Sequence, residues 1–194
     1  MKKILPIITG ITFLIAGELE IGSAMPLMDH QLANISGNTM TLADAKGDAG
    51  TLVVFSCNTC PMVTLWEDRY VSLANTYAQK GIGMIAVNSN AARFGSEDSL
   101  EEMVEHAKNN GYNFSYAQDP ESELASAFGA TKTPHIYLFN GDDKLVYRGA
   151  IDDNAKNAKK VDEPFLANAI DALLAGNPIN PQTTKALGCS IKFK

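Results

Sequence analysis

Basic charge is scarce in this chain. Among 194 residues, 16 Lys and Arg face 22 Asp and Glu, giving a formal net charge of −6. That balance argues against nucleic acid or an anionic membrane surface as a partner. The one basic cluster, Lys156 to Lys160, is short and flanked by acids, as in a solvated loop. Long apolar runs are missing too. The stretch Ile4 to Ala16 falls short of the roughly 20 residues a helix needs to span a bilayer. There is no internal repeat, low-complexity segment, His-rich or Met-rich tract, or linker to a second domain. The reading is one ordinary globular domain, long enough to bury a core. Two cofactor motifs are incomplete. Gly81-Ile82-Gly83 precedes its strand and lacks the third glycine of a dinucleotide loop. Asp152-Asp153-Asn154 lacks the glycine and terminal glutamate of a calcium loop.

Cysteine is also sparse, with three in the chain, yet two of them, Cys57 and Cys60, form a C-x-x-C. The apolar run Leu52-Val53-Val54-Phe55 leads into them. A helix-period pattern follows at Val63, Trp66, Tyr70, Leu73 and Tyr77. A C-x-x-C between strand and helix reads as a redox motif and not as half of a zinc site. Free backbone N–H groups and the helix dipole favour a thiolate there, lowering a cysteine pKa from about 8.5 to about 3.5–7.5. Cys57 is therefore the expected nucleophile. Cys60, one turn on, is the expected resolving thiol and its disulfide partner. Cys189 is left over, with three readings open: a buried inert thiol, a third redox participant, or an intermolecular bridge.

Taken in order, residues 1–24 read as a secretory signal peptide, with Lys2 and Lys3 at its start and the small residues Gly22-Ser23-Ala24 at its end. Residues 25–194 form the mature domain. Glu18 and Glu20 interrupt the apolar run, against a retained anchor, and no cysteine lies near the cleavage site to carry a lipid. No stable membrane insertion is expected after cleavage. Short strands are predicted over Met28 to Ile35 and Thr39 to Leu42. The strand Ile82 to Val87 is continuously apolar, as is the run before Cys57, so both are expected to be buried on two faces of a helix-covered sheet. Ser99-Leu100-Glu101-Glu102 is a capping box opening a helix whose apolar face is Leu100, Met103, Val104 and Ala107. Asp119-Pro120 predicts a helix start. Ile136 to Phe139 and Lys144 to Arg148 flank a hairpin loop. Glu163 to Ala175 is the last helix, and the tail to Lys194 has no strong period. His30 and His106, with no motif around them, are expected at the surface.

The segments Thr51 to Phe55, Cys57-Asn58-Thr59-Cys60-Pro61, Ala86 to Asn90, Gly129 to Pro134, Lys144 to Asn154 and Gly188 to Lys194 together resemble the thioredoxin superfamily. The closer similarity is to its exported branch of TlpA- and ResA-like proteins and to the peroxiredoxin-like redoxin and AhpC/TSA group. The resemblance implies an α/β thioredoxin-like fold, a central mixed β-sheet flanked by helices. It implies a cis peptide before Pro134, with the backbone of Thr133 facing the sulfurs and pairing with an extended substrate segment. The implied activity is thiol–disulfide exchange on exported protein thiols and disulfides. Cys57 and Cys60 would react, Thr133 and Pro134 would shape the groove, and a donor protein would supply electrons. No metal or organic cofactor is called for.

Ser56 replaces the aromatic residue often found before the first cysteine, and Asn58-Thr59 departs from the usual dipeptides. Potentials for such dithiols span about −270 to about −120 mV. Two alternatives stand beside this reading. A thiol peroxidase would need a Thr or Ser three residues before its cysteine and a helping Arg. Cys57 holds that place relative to Cys60, and Arg93 and Arg148 match no motif. A copper protein of the Sco type would use Cys57, Cys60 and His135, since copper(I) accepts thiolate and imidazole, but its cysteines are spaced by three residues and not two.

Overall fold

A computed structural model describes residues 17–194. Its strands are β1 (Leu32–Asn34), β2 (Thr39–Met40), β3 (Gly50–Ser56), β4 (Ile82–Asn88), β5 (Ser115–Gln118), β6 (Lys132–Thr133), β7 (His135–Asn140), β8 (Leu145–Gly149) and β9 (Cys189–Ser190). Its helices are α1 (Pro61–Tyr77), α2 (Leu100–Asn109), α3 (Glu123–Phe128) and α4 (Phe165–Leu174). Seven strands form one mixed sheet in the order β2-β1-β5-β4-β3-β7-β8, and β6 pairs separately with β9. The fold is the α/β thioredoxin-like one, a central mixed sheet flanked by helices.

The continuously apolar strands lie at the centre of the sheet. β3 is buried at all seven positions, paired in parallel with β4 and antiparallel with β7. Because strand side chains alternate, its residues divide between two cores. Leu52 and Val54 pack with Ile136, Leu138, Tyr147, with Val63, Trp66 and Tyr70 of α1 and with Leu166 and Ile170 of α4. Val53 and Phe55 pack on the other face with Tyr137, Phe139 and with Leu124 and Phe128 of α3. Phe128 and Tyr137 meet edge to face at 5.1 Å, the arrangement aromatic quadrupoles favour.

Several expected boundaries move. Asp119 does not cap a helix at Pro120. α3 begins at Glu123, and the Asp119 carboxylate instead accepts the Ser89 hydroxyl at 2.9 Å and the Ala125 amide at 3.0 Å. Ser99 does cap α2, accepting the Glu102 amide at 3.3 Å. Of the four residues assigned to its apolar face, Met103 and Ala107 are buried, whereas Leu100 and Val104 are 36% and 45% exposed. His106 is not a free surface residue, because its ring meets the buried Glu67 carboxylate, which also accepts the Tyr112 hydroxyl at 2.7 Å. His30 is partly buried, 3.7 Å from Asp119 and 3.6 Å from Glu123.

The expected signal peptide, 1–24, lies largely outside the described residues, but 17–24 are described. They dock on the domain. Leu19 N–H donates to the Phe128 carbonyl at 3.0 Å, and Gly22 N–H donates to Leu145 at 2.8 Å. The Leu145 amide returns a bond to Ser23 at 2.9 Å. Leu19 and Ile21 pack against the core beneath α3, and Glu18 pairs with Arg148. A boundary after Ala24 therefore falls inside packed structure.

Candidate redox site

The site sits where β3 ends and α1 begins. Pro61 occupies the first turn of α1, where its missing N–H costs nothing and its fixed φ suits a helix. Cys60 is the residue before it, with extended backbone (φ −81°, ψ 119°), and its carbonyl accepts the Thr64 amide at 3.2 Å. So the helix N-terminus falls on Cys60, and Cys57 lies one short turn upstream.

The disulfide joins Cys60 to Cys189, not to Cys57 as the spacing suggests, with Cα atoms 6.0 Å apart. Cys57 is a free, buried thiol. The reason lies in the tail. β9 runs antiparallel to β6, with Thr133 opposite Cys189 and Lys132 opposite Ser190. Three further bonds fix it: Ile191 N–H to the Thr131 carbonyl and Ala92 N–H to the Lys192 carbonyl, both at 3.0 Å, and Lys192 N–H to Asn90 Oδ1 at 2.8 Å. Gly188 lets the tail come this close. A Cβ there would lie 2.2 Å from the Thr133 carbonyl oxygen.

Thr133 touches both residues of the C-x-x-C. Its hydroxyl is 3.3 Å from Cys57 Sγ, and its carbonyl oxygen is 3.1 Å from Cys60 Sγ. Bonded to Cys189, Cys60 has no proton to donate. The Thr133-Pro134 peptide is cis. Cys57, Cys60 and Cys189 line one cavity of about 190 Å3 with Thr133, Arg93 and Lys192.

Cys57 is 2% exposed. Burial pushes its thiol pKa up, and the negative charge of Asp98 adds to this. The Thr133 hydroxyl and the amides of Thr59 and Cys60 pull the other way without prevailing. The expected low-pKa thiolate at Cys57 does not hold in this oxidised state, because the motif's first cysteine is dehydrated and the helix end belongs to Cys60.

A polar network that no motif announced lies under the site. Asp98, fully buried, accepts the Asn58 amide at 2.9 Å, Asn88 Nδ2 at 2.8 Å and Asn90 Nδ2 at 2.9 Å. Tyr116 donates its hydroxyl to Asn58 Oδ1 at 2.9 Å. The one available signal was the run Asn88-Ser89-Asn90 at the end of a buried strand, where such side chains need partners.

His135 stands away from the sulfurs. It shares the sheet face of Tyr137, whose hydroxyl is 3.3 Å from its Nδ1, and its Nε2 is 4.0 Å from the Glu18 carboxylate. Cys57 and Cys60 pack with the opposite core. Among the described residues, no group of three or more His, Cys, Asp or Glu is placed to hold a metal ion. Arg93, which matched no motif, lines the cysteine cavity, whereas Arg148 pairs with Glu18.

A mixed sheet carrying a C-x-x-C at a helix start beside a cis-proline defines a thioredoxin-like protein. The Redoxin family model matches residues 20–164, and the chain belongs to that family. It is similar to an uncharacterized conserved protein from Geobacillus kaustophilus, with 40% identity over 90% of this chain and 93% of that one and a TM-score of 0.83. A hypothetical protein from Sinorhizobium meliloti is 34% identical over 92% of this chain and 97% of its own, also with a TM-score of 0.83. A putative thiol:disulfide interchange protein DsbE from Chlorobium tepidum shares the fold at 20% identity, covering 81% of this chain and 99% of that one, with a TM-score of 0.62. No curated protein sequence matches the chain.

Proposed function

We propose that this redoxin is a thiol–disulfide oxidoreductase acting on protein disulfides outside the cytoplasm. The observation that carries this reading is the meeting of Cys57, Cys60 and Cys189 around one cavity under Thr133. In the reduced protein, a thiolate of the C-x-x-C attacks a substrate disulfide, forming a mixed disulfide and releasing one substrate thiolate. A second cysteine attacks that bond and frees the other substrate sulfur, and a donor dithiol protein then returns two electrons. The edge of Thr133 beside the cis-proline, which β9 occupies in the oxidised protein, suits an extended polypeptide. Export rests on the charged start and apolar stretch within residues 1–16. The contacts of Leu19 and Gly22 favour a processing site upstream of them over one after Ala24.

The test is reduction of insulin by the protein with dithiothreitol, together with trapping of partners on Cys60→Ser in cells. Turnover that needs Cys60, with captured exported proteins carrying cysteines, supports the reading. Insulin reduction no faster than with dithiothreitol alone, and no captured partner, sinks it.

A second reading, thiol peroxidase, is favoured by one observation. The Thr133 hydroxyl 3.3 Å from Cys57 Sγ and Arg93 on the same cavity wall supply the two donor types that the local sequence lacked. Such donors stabilise charge developing on peroxide oxygens. Stopped-flow oxidation of the reduced protein by hydrogen peroxide decides it. A rate far above that of a free thiolate would move the assignment to peroxidase.

A further inference from the structure

We propose that Cys189 is a third catalytic cysteine, and that the disulfide migrates from Cys57–Cys60 to Cys60–Cys189 in each turnover, with the tail acting as a built-in substrate strand. The inference rests on the exchange reading above and extends it.

Four observations converge. First, Cys60 is common to both linkages. It is bonded to Cys189, yet its sulfur and that of Cys57 touch the same residue, Thr133, within 3.3 Å. Second, all three cysteines open on one cavity, so the exchange needs no partner and no large rearrangement. Third, the tail is held there apart from the disulfide, by the β6–β9 pairing and by the Asn90, Ala92 and Thr131 bonds. Gly188 is the residue whose lack of a side chain permits the approach. Fourth, exposure differs along the relay. Cys57 and Cys60 are 2% and 3% exposed, whereas Cys189 is only partly buried.

The sequence of bonds follows. Substrate reduction by Cys57 and Cys60 leaves the Cys57–Cys60 disulfide, with two electrons passed to the substrate. The Cys189 thiolate then attacks Cys60 Sγ. The Cys60–Cys189 bond forms, the Cys57–Cys60 bond breaks, and the Cys57 thiolate leaves and takes up the proton given up by Cys189. This step transfers no net electrons, because it moves one disulfide within the chain. A donor dithiol protein then attacks the sulfur of Cys189, the most exposed residue of the three. Its two electrons reopen the bond, and its own cysteines leave as a disulfide. Exchange of this kind runs through a thiolate attacking a disulfide sulfur, and access to that sulfur governs the rate.

The experiment is acid-trapped disulfide mapping by peptide mass spectrometry after mixing fully reduced full-length protein with one equivalent of diamide. The relay requires the Cys57–Cys60 peptide to appear first and to decay as Cys60–Cys189 rises at the same rate. In Cys189→Ser and in Cys189→Ala the sequence halts at Cys57–Cys60, and turnover with thioredoxin as the donor dithiol falls at least tenfold. The proposal is overturned if Cys60–Cys189 forms directly, with the same rate constant in wild type and Cys57→Ser. It is also overturned if both Cys189 variants turn over as wild type does. The wild-type time course needs no variant to fold. Failure of the exchange reading is separate: it would show as an intact migration with no reduction of insulin.

Discussion

The Asp98 carboxylate accepts the Asn58 amide at 2.9 Å and, through its other oxygen, Asn90 Nδ2 at the same distance. Asn90 in turn accepts the Lys192 amide. One buried carboxylate thus ties the C-x-x-C turn to the tail that carries Cys189. Asp98→Ala removes the acceptor shared by three donors and leaves two of them, the Asn58 amide and Asn90 Nδ2, without a partner, at a cost of about 3 kcal/mol or more. Asp98→Asn keeps the shape and removes the charge that helps hold the Cys57 pKa up. The alkylation profile of Cys57 against pH should then shift to lower pH. An unmoved profile would show that burial alone sets this thiol.

Gly188→Ala drives a methyl group into the Thr133 carbonyl. Overpacking of this kind costs about 1–3 kcal/mol, so at a fixed ratio of oxidised to reduced dithiothreitol the ratio of Cys60–Cys189 disulfide to reduced protein should fall between about 5-fold and about 140-fold. Disulfide mapping reads it directly. An unchanged population would mean that the tail has slack the backbone positions do not suggest.

His135 is held to a pKa of about 4 against the ordinary 6.5, chiefly by burial, with Lys132 adding to it. Between those values the unfolded chain binds a proton that the fold excludes, so stability rises with pH across the window and is lost on acidification. The full effect is about 3 kcal/mol. Urea unfolding followed from about pH 7 down to about pH 4.5 should show a shallower decline in His135→Gln than in wild type. Equal slopes in the two proteins would assign the acid sensitivity to other groups.

A chain begun at Met25 loses Leu19, Ile21 and the backbone bonds to Phe128 and Leu145. Partial burial of two aliphatic side chains predicts a loss of about 2–4 kcal/mol relative to a chain begun at Gly17. Thermal unfolding of the two proteins compares them. Equal midpoints would mean that residues 17–24 add nothing to the fold.

The sheet was legible because its central strands carry the continuous apolar runs Leu52–Phe55 and Ile82–Val87, and burial on both faces leaves few other arrangements. That a helix follows the C-x-x-C was legible from the period of Val63, Trp66, Tyr70 and Tyr77, but its N-terminus falls on Cys60 and not on Cys57. The disulfide was not legible. Spacing makes Cys57–Cys60 the nearest pair in sequence, but β9 is two residues long with no period to announce it, and Cys189 reaches Cys60 through pairing across 129 residues. Asp98 was hidden for a similar reason, since its carboxylate draws partners from two separate places in the chain, Asn58 and the run Asn88–Asn90. His135 was misplaced by adjacency. It follows Pro134, but strand alternation turns its ring to the face opposite the sulfurs.

The β6–β9 pairing has a bearing on selectivity. The edge of Lys132–Thr133 is already taken by a segment of the same polypeptide, so a foreign chain arriving there meets a tethered competitor. Tethering gives such a competitor an effective concentration on the order of millimolar, which a passing protein at micromolar abundance cannot match by fit alone. A visitor whose own thiolate cuts the Cys60–Cys189 link loosens the competitor as it arrives. Admission to the edge would then be granted on reducing power before shape, and peptides that merely fit would be turned away.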